Sequence, residues 1–468
     1  GPALSLTPSG PQTRITLQHH NTAVVVLQVV TQVIAVTDMS GDGDRPGAPA
    51  VVPDHVIRRE YKVWRAAAPF LYELVLYQGL IWPSSSVQWI RSSSPVPIVE
   101  NSGQTVTQQV LIGSSTSGAD QAHLMLMEVQ MPPSYCPAVR RDISGAHSSV
   151  TSTAGKIRTQ SAWPSYSDIR RIRLVRGVPR SLAACIGDSD PLVSIYDIGT
   201  PSSSPIPGRQ SPAVPPEARR CARLVALGGQ TAESWGLSCS TLQSGHVAAG
   251  SMDTIVSVWD VQACPDQSTG HVPALIRLQR HTAPVMDVHF STKQTQLLSS
   301  ASDDKFAYVW DLRSPDDPTP IQHDCQVTCV EWSPFDNHVL ATGGTNGVLN
   351  IWDIRNPSTS VHSLHGAKGG PFDMTKVSWA PFQRDIIATS GSNRRAFIWD
   401  LARAGMAQSD EDAAEGPPEL AFIHGGHTST INEFDWSSDC PWTIASVSDN
   451  NILEVWQISE TLRTPPSI

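Results

Sequence analysis

The chain has 468 residues, 40% of them hydrophobic and 16% charged, and Lys+Arg 33 against Asp+Glu 43 leave a net charge of −10. With 37 prolines and 32 glycines, this composition supports a buried core but speaks against a helical bundle and for a loop-rich all-β fold. The acidic balance disfavours nucleic acid and favours basic partners, and eight cysteines scattered over so long a chain are unlike the disulfide framework of a small secreted domain.

Residues 1–53 read as a disordered or poorly structured extension. The apolar stretch Ala23 to Val36 is too short to span a bilayer and is interrupted by Gln28, Thr31 and Gln32. As a signal segment it lacks a basic lead, with only Arg14 ahead of it, and no small-residue cleavage site follows. Met39 reads as a natural start, and a Gly/Asp/Pro-rich linker runs from Ser40 to Pro53. Order should begin with Asp54 as a helix N-cap. Ile57, Tyr61, Trp64 and Ala68 recur at helical spacing and give one apolar face. Pro69 should end or kink this helix and leave Phe70-Leu71-Tyr72 as an apolar anchor. Residues 54–78 are therefore a helix and anchor that cannot lie within a β repeat and should pack on its side.

From 79 to 460 the pattern is strand, turn, strand. Trp-Asp closes a short apolar run at Trp259-Asp260, Trp310-Asp311, Trp352-Asp353 and Trp399-Asp400, at intervals of 51, 42 and 47 residues. That spacing is close to the repeat of about 40–45 residues of a WD40 propeller. Seven groups can be counted, near 105–131, 167–198, 221–262, 276–313, 321–355, 362–402 and 419–459. The expected fold is all-β: a seven-bladed WD40 β-propeller with an N-terminal α-helix packed on its side, and a tail at 461–468. The strand from Ser86 to Ile90 should complete the last blade and close the ring, which removes exposed edges. Ser134 to Tyr166 and Thr200 to Pro216 read as Ser/Pro-rich loops. A third interruption, 404–420, carries Asp410, Glu411, Asp412 and Glu415 ahead of Pro417-Pro418. Proline pre-orders the backbone and lowers the entropy lost on binding, so this acidic loop reads as a binding element.

The chemistry of the repeats is structural. Asp253, Asp304, Asn346, Asn393 and Asn450 each stand six residues before a tryptophan, and His281 and His427 stand at blade starts, where they should bond across a blade. A triad of His281, Ser299 and Asp304 has no strained nucleophile elbow around its serine, so no catalytic residue is assigned. No phosphate-binding glycine loop, dinucleotide fingerprint or zinc-helix motif occurs, and Cys325 and Cys329 lack the second pair of a zinc module. The reading is not an enzyme, with no metal and no cofactor. Arg170, Arg171, Arg173, Arg176 and Arg180 form a basic run read as solvated, with no direct nucleic-acid or membrane role.

Three segments outside the generic repeat carry a resemblance. Glu60-Tyr61-Lys62-Val63-Trp64, Pro69 to Val75 and Trp82-Pro83-Ser84 resemble the N-terminal signature of the retinoblastoma-binding histone chaperones, WD40 proteins that include the small subunit of chromatin assembly factor one. Gly416 to His427, and Pro441-Trp442 through Val455-Trp456-Gln457, resemble the same family, and the likeness spans about 54–460. It implies a side groove for a histone helix, with Phe70, Leu71, Phe422 and Ile423 as its apolar floor. Asp412 and Glu415 would pair with histone arginines, Glu415 standing where the family usually has Asp. A rival reading has Phe70 and Phe422 only pinning the helix to the barrel.

The resemblance also implies a ring of acids on the flat top for basic tails, kept here as Asp168, Glu233, Trp235, Asp373 and Asp449. Met286 replaces an acid and Arg170 a neutral polar residue, and both changes weaken attraction for a basic tail. The implied function is a histone-binding scaffold or chaperone that presents an arginine-rich core histone to chromatin assembly, acetyltransferase, deacetylase or Polycomb-type complexes. It would be nuclear, with a cytoplasmic pool. Alternatives are a chaperone of ribosomal proteins, which lacks a close match to Gly416 to Leu420, and a substrate adaptor of a ubiquitin ligase.

Overall fold

In the computed structural model the described residues are 52–91, 98–100, 105–132, 155–188, 190–199, 223–263, 271–366, 370–409, 413 and 416–463. The expectations for 1–51, 133–154 and 200–222 lie outside them. Among the described residues the strands form seven sheets, one per blade, with strands in sequence order from channel to rim. Pairing is antiparallel except where His271–Val272 adds to the rim of the second blade. The innermost strands are Ser84–Ile90, Ile169–Val175, Ser234–Cys239, Val285–Phe290, Val327–Trp332, Met374–Trp379 and Ile431–Trp436, each packed on the next around the channel.

The structure corrects three expectations. Ser86 to Ile90 does not close the ring; it is the channel strand of blade 1, where Ser86 and Val87 are buried and bond the Glu433 carboxylate of blade 7. Closure is made by β1, Tyr72–Gly79, which pairs with Ile452–Ile458 as the outer strand of blade 7. The sequence groups are also offset from the blades by one strand: Ile276–Gln279 opens the fourth group but is the outer strand of blade 3. Finally, Lys156–Pro164, inside a stretch read as loop, is the outer strand of blade 1, because its Ala162 and Trp163 pair with Met125 and Leu124 and fill the core.

The innermost strands share a feature that alternation does not reveal. Each slips register two residues in: between Ser84 and Ser86, Ile169 and Arg171, Ser234 and Gly236, Val285 and Asp287, Val327 and Cys329, Met374 and Lys376, and Ile431 and Glu433. A bulge re-aims the skipped side chain. Four of the skipped residues stitch their blade to the next: Arg170 Nη1 donates to the Ser234 carbonyl at 3.1 Å, Thr328 Oγ1 to Met374 at 2.6 Å, Thr375 Oγ1 to Ile431 at 2.6 Å, and Asn432 Nδ2 to Ser84 at 3.1 Å.

Within blades the His and Asp residues do the cross-bonding expected of them. His281 meets Asp304 at 2.8 Å and Ser300 Oγ at 2.7 Å, and Trp310 Nε1 donates to that same hydroxyl at 2.8 Å. The hydroxyl is Ser300 and not Ser299, because the pleat turns Ser299 to the other face, where it donates to the His289 carbonyl. Thr342 plays this part between His323 and Trp352 in blade 5, and Ser446 between His427 and Trp456 in blade 7. In each of these blades a buried tryptophan is thereby hydrogen-bonded as well as packed.

The N-terminal helix, α1, spans Asp54–Leu71. Asp54 is its first residue; Pro53 is the N-cap, without a side-chain hydrogen bond, and Pro69 is accommodated inside the last turn. The buried face is Trp64, Ala67 and Leu71, with Tyr61 and Ala68 packed beside it. These pack with Ala396, Ile398 and Phe422 of blade 6 and with Ile431, Trp456 and Ile458 of blade 7. The helix thus lies on the propeller's flank across the closing seam. After the last blade strand, Glu460–Arg463 forms one helical turn, and Arg463 pairs with Glu73 at 3.3 Å.

Candidate functional site

A groove runs along the flank between α1 and blade 6, lined by Ile57, Tyr61, Trp64 and Leu71 from the helix and by Ile423 and Gly425 opposite. Of the residues assigned to its floor, Leu71 and Ile423 line it but are themselves well packed, at 1% and 6% exposure. Phe422 lies beneath, its ring edge-on to Tyr72 at 5.4 Å and stacked near Trp456 at 6.4 Å, so its packing role is substantial. Phe70 is 48% exposed. Asp412 and Glu415, with Asp410 and Glu411, fall outside the described residues. Pro417 and Pro418 follow them and turn into the strand Leu420–His424, Leu420 N–H returning to the Pro417 carbonyl at 3.0 Å.

Two contacts across this groove are beyond what the sequence reading assigns. Glu60 on α1 reaches Arg394 at 3.1 Å and Arg395 at 3.7 Å in the blade 6 turn. Beneath, a chain of buried polar groups joins helix to barrel. Trp64 Nε1 donates to the Tyr72 hydroxyl at 3.0 Å, that hydroxyl meets His424 Nδ1 at 2.9 Å, and His424 Nε2 meets Glu454 at 3.1 Å. Burial pushes His424 down to about 3, so the ring is neutral. His427 is held at about 4, burial outweighing the nearby Glu454, and burial raises Glu454 itself. His424, His427 and Glu454 place ligand-type atoms within 4.8 Å of one another. Both histidines already commit their two ring nitrogens, to Tyr72 and Glu454 and to Ser446 and Ser448, so the cluster is a hydrogen-bond network.

At the channel mouth, Asp168 and Glu233 directly precede innermost strands with Asp373 just before another, while Asp449 follows a second strand, so all four stand at one face. Asp168 accepts from Thr116 N–H at 2.7 Å and Thr116 Oγ1 at 2.8 Å, and Asp449 accepts from Asn432 at 2.7 Å. Glu233 and Trp235 both contact Arg170. The basic run is not simply solvated. The bulges turn Arg170, Arg171 and Arg173 inward, where Arg171 pairs with Asp287 and Arg173 with Glu433 at 2.7 Å, and Lys376 faces Glu331 at 3.4 Å. Burial works to raise Glu433, but Arg173, Arg171 and Lys376 outweigh it and hold the carboxyl at about 2. Arg176 and Arg180 are exposed, as read.

Comparison with known families gives two matches. A family model described as that of the histone-binding protein RBBP4, or its counterpart in the CAF1 complex, matches residues 59–133, which take in most of α1, the closing strand and the first strands of blade 1. A second, described as WD domain, G-beta repeat, matches 273–311, 318–353 and 419–457. Each of these repeat matches begins on the outer strand of one blade and ends on the third strand of the next.

Proposed function

From the premise that this chain belongs to the WD40 family of the histone-binding protein RBBP4 and its counterpart in the CAF1 complex, and so is a histone-binding scaffold, we propose that its flank groove holds a helix of an arginine-rich core histone. The observation that carries this reading is the groove itself. It lies between α1, which the histone-binding match covers, and the strand that leaves Pro417-Pro418, and its lining is largely apolar. An amphipathic helix docks its apolar stripe into such a groove, and flanking charge sets register and on-rate. Phe70 and Tyr61 supply the accessible apolar contact, Leu71 and Ile423 the floor, with Phe422 supporting it from below. Asp412 and Glu415 take the histone arginines. The carboxylates at the channel mouth, Asp168, Glu233, Asp373 and Asp449, with Trp235, form a second contact for basic segments. The chain works without catalysis of its own, as a nuclear scaffold presenting histone to chromatin assembly, acetyltransferase, deacetylase or Polycomb-type complexes.

The test is recovery of a recombinant histone H3–H4 pair on immobilised wild-type chain, Phe70→Ala and Asp412→Lys. Truncation of an apolar anchor at an interface centre costs about 2 kcal/mol or more, and an exposed carboxylate about 1 kcal/mol or less. Recovery should fall strongly for Phe70→Ala and modestly for Asp412→Lys at low salt. Equal recovery by all three proteins would remove the groove reading. Phe422→Ala is a poorer probe, because loss of its contacts with Tyr72 and Trp456 lowers stability together with binding.

A further inference from the structure

The bulges of blades 2 and 3 set Arg170 and Trp235 side by side at the channel mouth. The Arg170 guanidinium carbon lies 3.9 Å from the centre of the Trp235 ring. Its Nη2 reaches Asp188 at 2.8 Å and Glu233 at 3.3 Å, and its Nη1 donates to the Ser234 carbonyl at 3.1 Å. An aromatic face, two carboxylates on different blades and a backbone carbonyl together match the planar, forked donor set of a guanidinium, and would match an ammonium poorly. Asp168 adds a third negative charge close enough to bear on Asp188. One cation therefore stands among three carboxylates.

Stitching one blade to the next does not require that charge. Thr328, Thr375 and Asn432 make the equivalent bond at other bulges with neutral side chains. The arginine brings something the fold does not ask for. Nor is the cage sealed: the Arg170 side chain is 16% exposed, while Glu233 and Asp188 are open to solvent at 31% and 40%.

We infer that Trp235, Glu233 and Asp188 form a recognition site for an arginine side chain of a basic partner segment, and that Arg170 occupies this site from within as a built-in competitor. An internal ligand competes at an effective concentration that a free segment rarely matches. The mouth is consequently closed to arginine until Arg170 is withdrawn or replaced. This sharpens the mouth contact proposed above, on which the choice of partner rests, and it shares no residue with the flank groove.

The test uses the full chain grown with 5-fluorotryptophan, with the Trp235 resonance identified by its loss in Trp235→Phe, and N-acetyl-arginine amide as the probe. Arg170→Asn keeps an amide at the bulge, as Asn432 does, and removes the charge. Its Trp235 resonance should move saturably with the probe, while the wild-type resonance responds at least about tenfold more weakly because its competent fraction is small. The uncharged citrulline analogue should move neither. Arg170→Lys keeps a charge without the fork and should respond between the two, so it carries the test if the asparagine variant fails to fold. Equal responses of variant and wild type, or no response from a variant whose other tryptophan resonances stay native, would overturn the inference. The same result is expected in a Phe70→Ala background, so failure here is separable from failure of the groove.

Discussion

At the scale of single residues, the attachment of the helix rests on Tyr72. Its hydroxyl accepts from Trp64 and meets His424, and its ring packs on Phe422 and Trp456. A neutral His424 whose Nδ1 accepts from Tyr72 carries its proton on Nε2, toward Glu454. Tyr72→Phe leaves the packing and orphans the buried Trp64 N–H and His424 Nδ1, so it should cost about 1–3 kcal/mol, read as a lower urea midpoint. The buried histidines also set a pH dependence. His323 and His427 are held at about 4 and His424 at about 3, below the ordinary 6.5. Between pH 6.5 and about 4 the unfolded chain binds protons that the folded chain refuses, so their contribution is full above 6.5 and lost as pH falls. Glu454, raised by burial, works in the opposite sense, contributing at low pH and losing that contribution as pH rises. Urea midpoints should decline steadily from pH 7 to 4.5, and His323→Gln should flatten that decline; an unchanged slope would assign the acid sensitivity elsewhere. Trp64 and His424 are legible in the sequence as parts of recognisable segments. Their partnership is not, because residues 64, 72, 424 and 454 meet only when the ring closes.

Elements divide along the same line. Period and turn chemistry reveal the Trp-Asp strands, and helical spacing reveals α1, since each signal is local. Ring closure is not local. Tyr72–Gly79 and Ser84–Ile90 are both short and half apolar, and what separates them is the partner each finds, Ile452–Ile458 for one and Thr105–Ser114 for the other. The bulges are equally hidden, because skipping one residue leaves composition unchanged while re-aiming Arg170 and Trp235 toward each other. A chain beginning at residue 80 would lose both α1 and the closing strand and expose the edge of Ile452–Ile458. Such an edge templates pairing between chains. This truncation should elute as soluble aggregate in size-exclusion chromatography, whereas a chain beginning at residue 52 should remain monomeric.

For the molecule as a whole, charge and architecture point the same way. An acidic propeller with one apolar groove on its flank and carboxylates around its mouth suits a basic partner at more than one place, and this much is legible from composition and the segments outside the repeat. Arg170 stands out in the sequence as a departure, but its consequence depends on a neighbour 65 positions away in the chain. The seam itself has a further consequence for how the protein is made. Its outer strand is among the first ordered segments to leave the ribosome, and its partner, Ile452–Ile458, is nearly the last. At about 5–20 residues per second the early strand waits on the order of half a minute, unpaired and half apolar, for synthesis to finish. Nascent copies are therefore adhesive through most of translation, and a cell making this protein in quantity has reason to shield the emerging N-terminal region until the final blade is complete.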